Sequence, residues 1–243
     1  MSTRNRKARL GIALMALVAA GCGTSDEGAP EPSRAQSFSA MQVCGGSVVL
    51  PSSAKALERL TGATSFEPGQ AKQELGIPAA AQVLEDAYKA GYKVRDMPGA
   101  HCVIRGEVPS ADLDYTVKLD FTAYSEKADL PDYAKGRLDH GKGTLTSLYG
   151  SRTSISFDCV SSRVGSTAAI PLRVNGRITS EDGTTSSEPP TAAEDRMLIL
   201  HTASLSLAKE LGCRNNGGLP DDVSGLPEPL PPLDRGASPS PSR

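Results

Sequence analysis

The order of periodicities predicts an α+β domain: an antiparallel sheet with helices packed on one face, stapled by two disulfides. Three observations carry that expectation. Helical periods open and close the chain's central region, strand-like alternation fills the space between them, and four cysteines are spread across the whole of it.

The elements follow in order. Pro51–Gly62 reads as a short helix, with Ser52 or Ser53 as its cap and Gly62 as its stop. A second helix spans Ile77–Gly91, with Pro78 in its first turn and the glycine past its end. The period then changes. Cys102–Gly106 looks like a strand, and Tyr115–Tyr124 alternates cleanly. Tyr115, Val117, Leu119, Phe121 and Ala123 share one face; Thr116, Lys118, Asp120 and Thr122 share the other, so one face is buried and one is wet. Thr144–Tyr149 follows a Gly- and Lys-rich loop. Thr153, Ile155, Phe157 and Cys159 mark one face of a further strand. Ile170–Thr179 is strand-like as well, and Asn175-Gly176 within it fits either a tight hairpin turn or a bulge. The last helix opens on the capping box Thr191-Ala-Ala-Glu194 and runs to Leu211, before Gly212. Met197, Leu198, His201, Leu205 and Ala208 are expected on its apolar side.

The two ends of the chain read differently. Residues 1–9 hold four basic and no acidic residues; the apolar run Leu10–Ala20 follows, and then Gly21-Cys22. A basic head, a short apolar stretch and small residues at the cut make a secretory signal over residues 1–21. At ~1.5 Å rise per residue the run is about half of what ~30 Å of hydrocarbon requires, so a spanning helix is not expected. Residues 22–37 are polar, without apolar periodicity, and read as a flexible tether. One globular domain is expected over residues 38–215. A proline-rich, disordered tail is expected over residues 216–243, in which Leu230-Pro-Pro-Leu233 has the form of a polyproline ligand.

Leu17-Val-Ala-Ala-Gly-Cys22 resembles the lipobox of bacterial lipoproteins, with Ala19 where that family more often has Leu, Val or Ile. The resemblance implies that Cys22 receives a diacylglycerol and becomes the first mature residue. Two acyl chains hold a protein on a membrane where one is marginal. With this lipobox, the tether and the Ala/Gly/Pro-rich composition, most of the chain is similar to cell-surface lipoproteins of high-GC actinobacteria whose function is uncharacterised. The resemblance implies a place, the outer face of the cell membrane, and no activity.

Four cysteines remain: Cys44, Cys102, Cys159 and Cys213. An even number outside the cytoplasm reads as two disulfides, and wide spacings without C-x-x-C or a histidine pair argue against zinc. Of the three possible connectivities, Cys44–Cys102 with Cys159–Cys213 is the one expected, because each pair brackets one half of the fold. Each loop stabilises by about 4 kcal/mol in the chain-entropy picture.

Removing residues 1–21 leaves 22 basic against 28 acidic residues, which argues against an electrostatic grip on nucleic acid. Trp is absent and aromatics are 4%, so stacking platforms are scarce. Gly136–Gly143 nearly matches a P-loop, but Gly143 replaces the hydroxyl residue that holds Mg²⁺. The three histidines are His101, His140 and His201. His201 falls on the apolar side of the last helix, where a hydrogen-bonded core histidine is the usual case. Asp139-His140 has the composition of an acid/base pair, and Asp112 with Asp114 that of a carboxylate pair, but both fall in loop sequence. No catalytic residue, metal or cofactor is assigned. The expected function is an exported, lipid-anchored binding domain, non-catalytic, whose partner is a small ligand, a wall component or another envelope protein. A passive surface spacer and an envelope hydrolase are the alternatives.

Overall fold

The computed structural model describes residues 37–67, 76–91, 100–107, 115–124, 145–181, 189–226 and 228. Three helices are described: α1 (Pro51–Thr61), α2 (Ile77–Lys89) and α3 (Ala192–Glu210). The strands are β1 (Ala100–Gly106), β2 (Tyr115–Tyr124), β3 (Leu145–Tyr149), β4 (Arg152–Cys159) and β5 (Leu172–Glu181). They form one antiparallel sheet in the order β1-β2-β5-β4-β3. Helices α1, α2 and α3 pack on one face of it, as the change of period predicts.

The core lies between these layers. β2 contributes Val117, Leu119, Phe121 and Ala123; β4 contributes Ile155 and Phe157; β5 contributes Leu172, Val174 and Ile178. Ala56, Leu57 and Leu60 of α1, Ala80, Ala81 and Leu84 of α2, and Ile199, Leu200, Ala203 and Leu207 of α3 close over them. Pro51 opens α1 at a position whose N–H has no helical partner anyway, and the Leu50 N–H instead donates to Ser53 Oγ at 3.2 Å. Gly62 ends the helix with φ 66°, a left-handed conformation that costs a glycine little.

Both expected disulfides are present, Cys44–Cys102 and Cys159–Cys213, with Cα atoms 5.8 and 4.9 Å apart. The first ties the segment before α1 to β1; the second ties the end of α3 to the end of β4. In the second half of the chain three sequence expectations need correction. Asn175-Gly176 makes neither a hairpin nor a bulge: β5 runs straight through, with Asn175 opposite Thr122 and Ser156, and Gly176 opposite Phe121 and Ile155. Thr191 and Glu194 do not form a capping box. Thr191 makes no side-chain bond to the helix N-terminus, and its Oγ1 donates to Asp195 Oδ2 at 2.8 Å. The buried face of α3 is also shifted. Met197, Leu198 and Leu205 are only half-buried, while Arg196, Ile199, Leu200, Ala203 and Leu207 lie inside.

The domain also extends past residue 215. Asn215 and Asn216 take left-handed φ values of 51° and 52°, a region Asn enters more readily than most residues, and turn the chain back after Cys213. Leu219 is then buried and Leu226 packs on the core, so residues 216–226 belong to the fold rather than to the expected tail.

Candidate binding face

Because side chains alternate along a strand, covering one face of the sheet with helices leaves a second face made of the remaining residues. That face is polar. β2 places Thr116, Lys118, Asp120 and Thr122 on it, the set that the alternation predicts to be wet; β5 adds Arg173, Asn175, Arg177 and Thr179, and β4 adds Arg152, Ser154, Ser156 and Asp158. Register aligns them into rows. Asp120, Arg177 and Ser154 are cross-strand neighbours, as are Lys118, Thr179 and Arg152, and Thr122, Asn175 and Ser156. All except the exposed Arg152 are half-buried by their neighbours.

Local bonds hold this surface in one arrangement. Lys118 Nζ pairs with Glu181 Oε2 at 2.6 Å, and Arg173 Nε with Asp158 Oδ1 at 3.2 Å. Asn175 Nδ2 donates to Ser156 Oγ at 2.8 Å. Cross-strand pairs of opposite charge and of hydrogen-bonding groups stabilise a sheet modestly. Chemically the face offers a fixed lattice of hydroxyl, amide, guanidinium and carboxylate groups. Reading Asn175-Gly176 as a break in a strand concealed the β5 half of it, although Arg173, Asn175, Arg177 and Thr179 alternate with apolar or small residues.

The opposite side of the sheet holds buried polar groups that periodicity did not reveal. Arg196 is buried, and donates from Nε to Thr153 Oγ1 at 3.3 Å, from Nη1 to Ser180 Oγ at 2.9 Å and from Nη2 to the Gly150 carbonyl at 2.9 Å. Beside it, buried Asp195 accepts from Arg59 Nη2 at 2.5 Å and so joins α1 to α3; this pairing raises the Arg59 pKa above its ordinary value, through the hydrogen bond first. Glu85 bridges α2 to the segment after β4, accepting from Lys89 Nζ at 2.5 Å and Arg163 Nε at 2.9 Å. The Lys89 bond and then the Arg163 bond hold its carboxyl below the usual glutamate range.

The residues singled out in the sequence are scattered. His201 is buried, with Nε2 2.9 Å from the Pro220 carbonyl; a carbonyl only accepts, so that nitrogen carries the proton. It is a core histidine whose partner comes from beyond the expected domain boundary. His101 lies in β1 opposite Asp120 in backbone register. Cys22, Asp112, Asp114, Asp139, His140, the Gly136–Gly143 loop and Leu230–Leu233 lie outside the described residues. Among the described residues there is no cluster of three or more His, Cys, Asp or Glu that would hold a metal, and no helix long and apolar enough to cross a membrane. Compared with known proteins, the chain matches no family model, no curated protein and no solved structure.

Proposed function

We propose that this chain is an exported lipoprotein, held on the outer face of the cell membrane by a lipid on Cys22. Its stapled domain is a non-catalytic module that binds a wall component or another envelope protein through the polar face of the sheet. The observation that carries the first part is the sequence Leu17–Cys22 behind a basic head and a short apolar run. The two disulfides support a compartment where thiols oxidise. The second part rests on asymmetry. One face of the sheet is consumed by the core, while the other is a rigid array of hydrogen-bonding side chains, and interfaces on such surfaces gain specificity from matched polar groups.

The test follows from the register. Arg177→Glu and Ser154→Lys alter neighbouring positions in the middle of the face, while Lys55→Glu alters an exposed position on α1. Binding of the lipid-free chain to washed envelope fragments is measured by co-sedimentation. The unaltered chain and Lys55→Glu are expected to sediment with the fragments, and the face variants to lose about tenfold in affinity. Equal retention of all four, or retention of none, contradicts the face as the binding surface and leaves the spacer reading in its place.

A further inference from the structure

On the polar face of the sheet most cations are matched by a carboxylate. Lys118 pairs with Glu181 at 2.6 Å, Arg173 with Asp158 at 3.2 Å and Arg105 with Glu67 at 3.8 Å. Arg152 and Arg177 are the exceptions, since neither guanidinium has an ion pair or hydrogen bond among the described residues. Register puts these two on one diagonal. Arg152 faces Thr179 and Ser154 faces Arg177 across β4 and β5, so two arginines and two hydroxyl residues mark the corners of one patch. Diagonal neighbours on a sheet stand about 7–8 Å apart, within the reach of long side chains. Arg152 is exposed and Arg177 half-buried. Asp120 flanks Arg177 from β2, on the side away from Arg152, and is not ion-paired with it.

We propose that this patch holds a phosphate group of an anionic envelope glycan, with Arg152 and Arg177 as its two guanidinium donors. The proposal rests on the polar face being the binding surface, and names the chemistry of its partner. Charge carries it. Two unmatched cations stand together on a chain that is net acidic once residues 1–21 are removed, so the patch reverses the sign of the whole and draws anions to one place. Guanidinium groups bind phosphate and carboxylate alike through paired N–H donors. A planar carboxylate is filled by one such fork, whereas a tetrahedral phosphate directs oxygens toward two cations and neighbouring hydroxyls at once. β4 and β5 place no aliphatic or aromatic side chain on this face, and protein partners generally anchor on such groups. A hydrated, hydroxyl-rich polymer does not need them. With few aromatic rings to stack on, its charge rather than its sugar rings is the part recognised.

The test uses the full chain with Cys22→Ser, so that no lipid contributes, and three probes that differ only in the group they carry: dextran phosphate, carboxymethyl-dextran and plain dextran. Calorimetric titration is expected to show binding to dextran phosphate, about tenfold weaker binding to carboxymethyl-dextran and none to plain dextran. Arg152→Gln and Arg177→Gln should each lose about tenfold for dextran phosphate, while Lys55→Gln, an exposed position on α1, loses nothing. Arg152→Lys keeps the charge without the fork and should fall between, with a far-UV spectrum checking that every variant is folded. No binding to dextran phosphate, equal binding of the two charged dextrans, or full binding by the Arg152→Gln/Arg177→Gln double variant overturns the proposal. So does tighter binding to phosphatidylglycerol vesicles than to dextran phosphate, which would make the partner a lipid surface. If dextran phosphate fails while washed envelope fragments still discriminate against Arg177→Glu, the phosphate is refuted and the polar face stands. If the fragments do not discriminate either, the face itself falls.

Discussion

At the scale of single residues the centre of the domain rests on a close approach at Gly176. A Cβ there would lie 2.9 Å from Phe121 Cε1 and 3.1 Å from both Leu200 Cδ1 and Ser204 Oγ, so α3 sits where only a glycine leaves room. Ser204 is buried, and among the described residues its hydroxyl has no hydrogen-bond partner. An unpaired buried hydroxyl costs about 1–3 kcal/mol, so Ser204→Ala is expected to raise stability by about 1 kcal/mol, and Gly176→Ala to lower it by about 1–3 kcal/mol through overpacking. Urea denaturation of the two variants checks both signs. Glu85 makes a prediction about pH. Its folded pKa lies below the unfolded value of about 4.3, so its ion pairs contribute stability above that value, which is lost as pH falls through the folded pKa. Denaturation of the wild type and of Glu85→Gln should therefore differ most near neutrality and converge in acid. A difference that grows on acidification contradicts the assignment. Such residues were hard to read in sequence. Nothing about Ser204 or Arg196 distinguishes them from surface residues of a helix, because α3 is buried on more than one side and its apolar period is blurred.

The elements were more legible, for a physical reason. Period-two alternation in β2 and β4 survives because each has one helix-covered face and one polar face, and those patterns placed Val117, Leu119, Phe121 and Ile155 correctly in the core. The cysteines left three connectivities open in sequence, and the one expected because each pair brackets one half of the fold is the one present. Boundaries set by composition failed. Gly217-Gly218 and the prolines after them resemble the start of a tail, yet the left-handed turn at Asn215 and Asn216 returns the chain to α3, where Leu219 is buried and Pro220 accepts from His201. The last segment is thus a structural strap, and truncation tests it. Ending the chain after Asn215 removes Leu219, Leu226 and the His201 acceptor, and should cost about 2–4 kcal/mol from lost burial and an unpaired imidazole. Ending it after Glu228 should change stability by less than about 0.5 kcal/mol. Equal melting temperatures for the two truncations would return the segment to the tail.

On the scale of the whole molecule, a disulfide-stapled α+β domain with one apolar and one polar face of its sheet is a scaffold suited to presenting a fixed surface. Its proposed role depends on where it is displayed, and that depends on a short stretch of sequence outside the described residues. The lipobox-like sequence Leu17–Cys22 was the most specific pattern in the chain, and the candidate binding face the least, because a polar sheet face has no motif, only register. The measurement that tests the account most directly is mass spectrometry of the N-terminal peptide from the protein purified from its native host. The account predicts a chain that begins at Cys22 and carries a diacylglycerol on its thiol, lost from the membrane fraction in Cys22→Ser. A mature chain beginning elsewhere, or an unmodified Cys22, would contradict it.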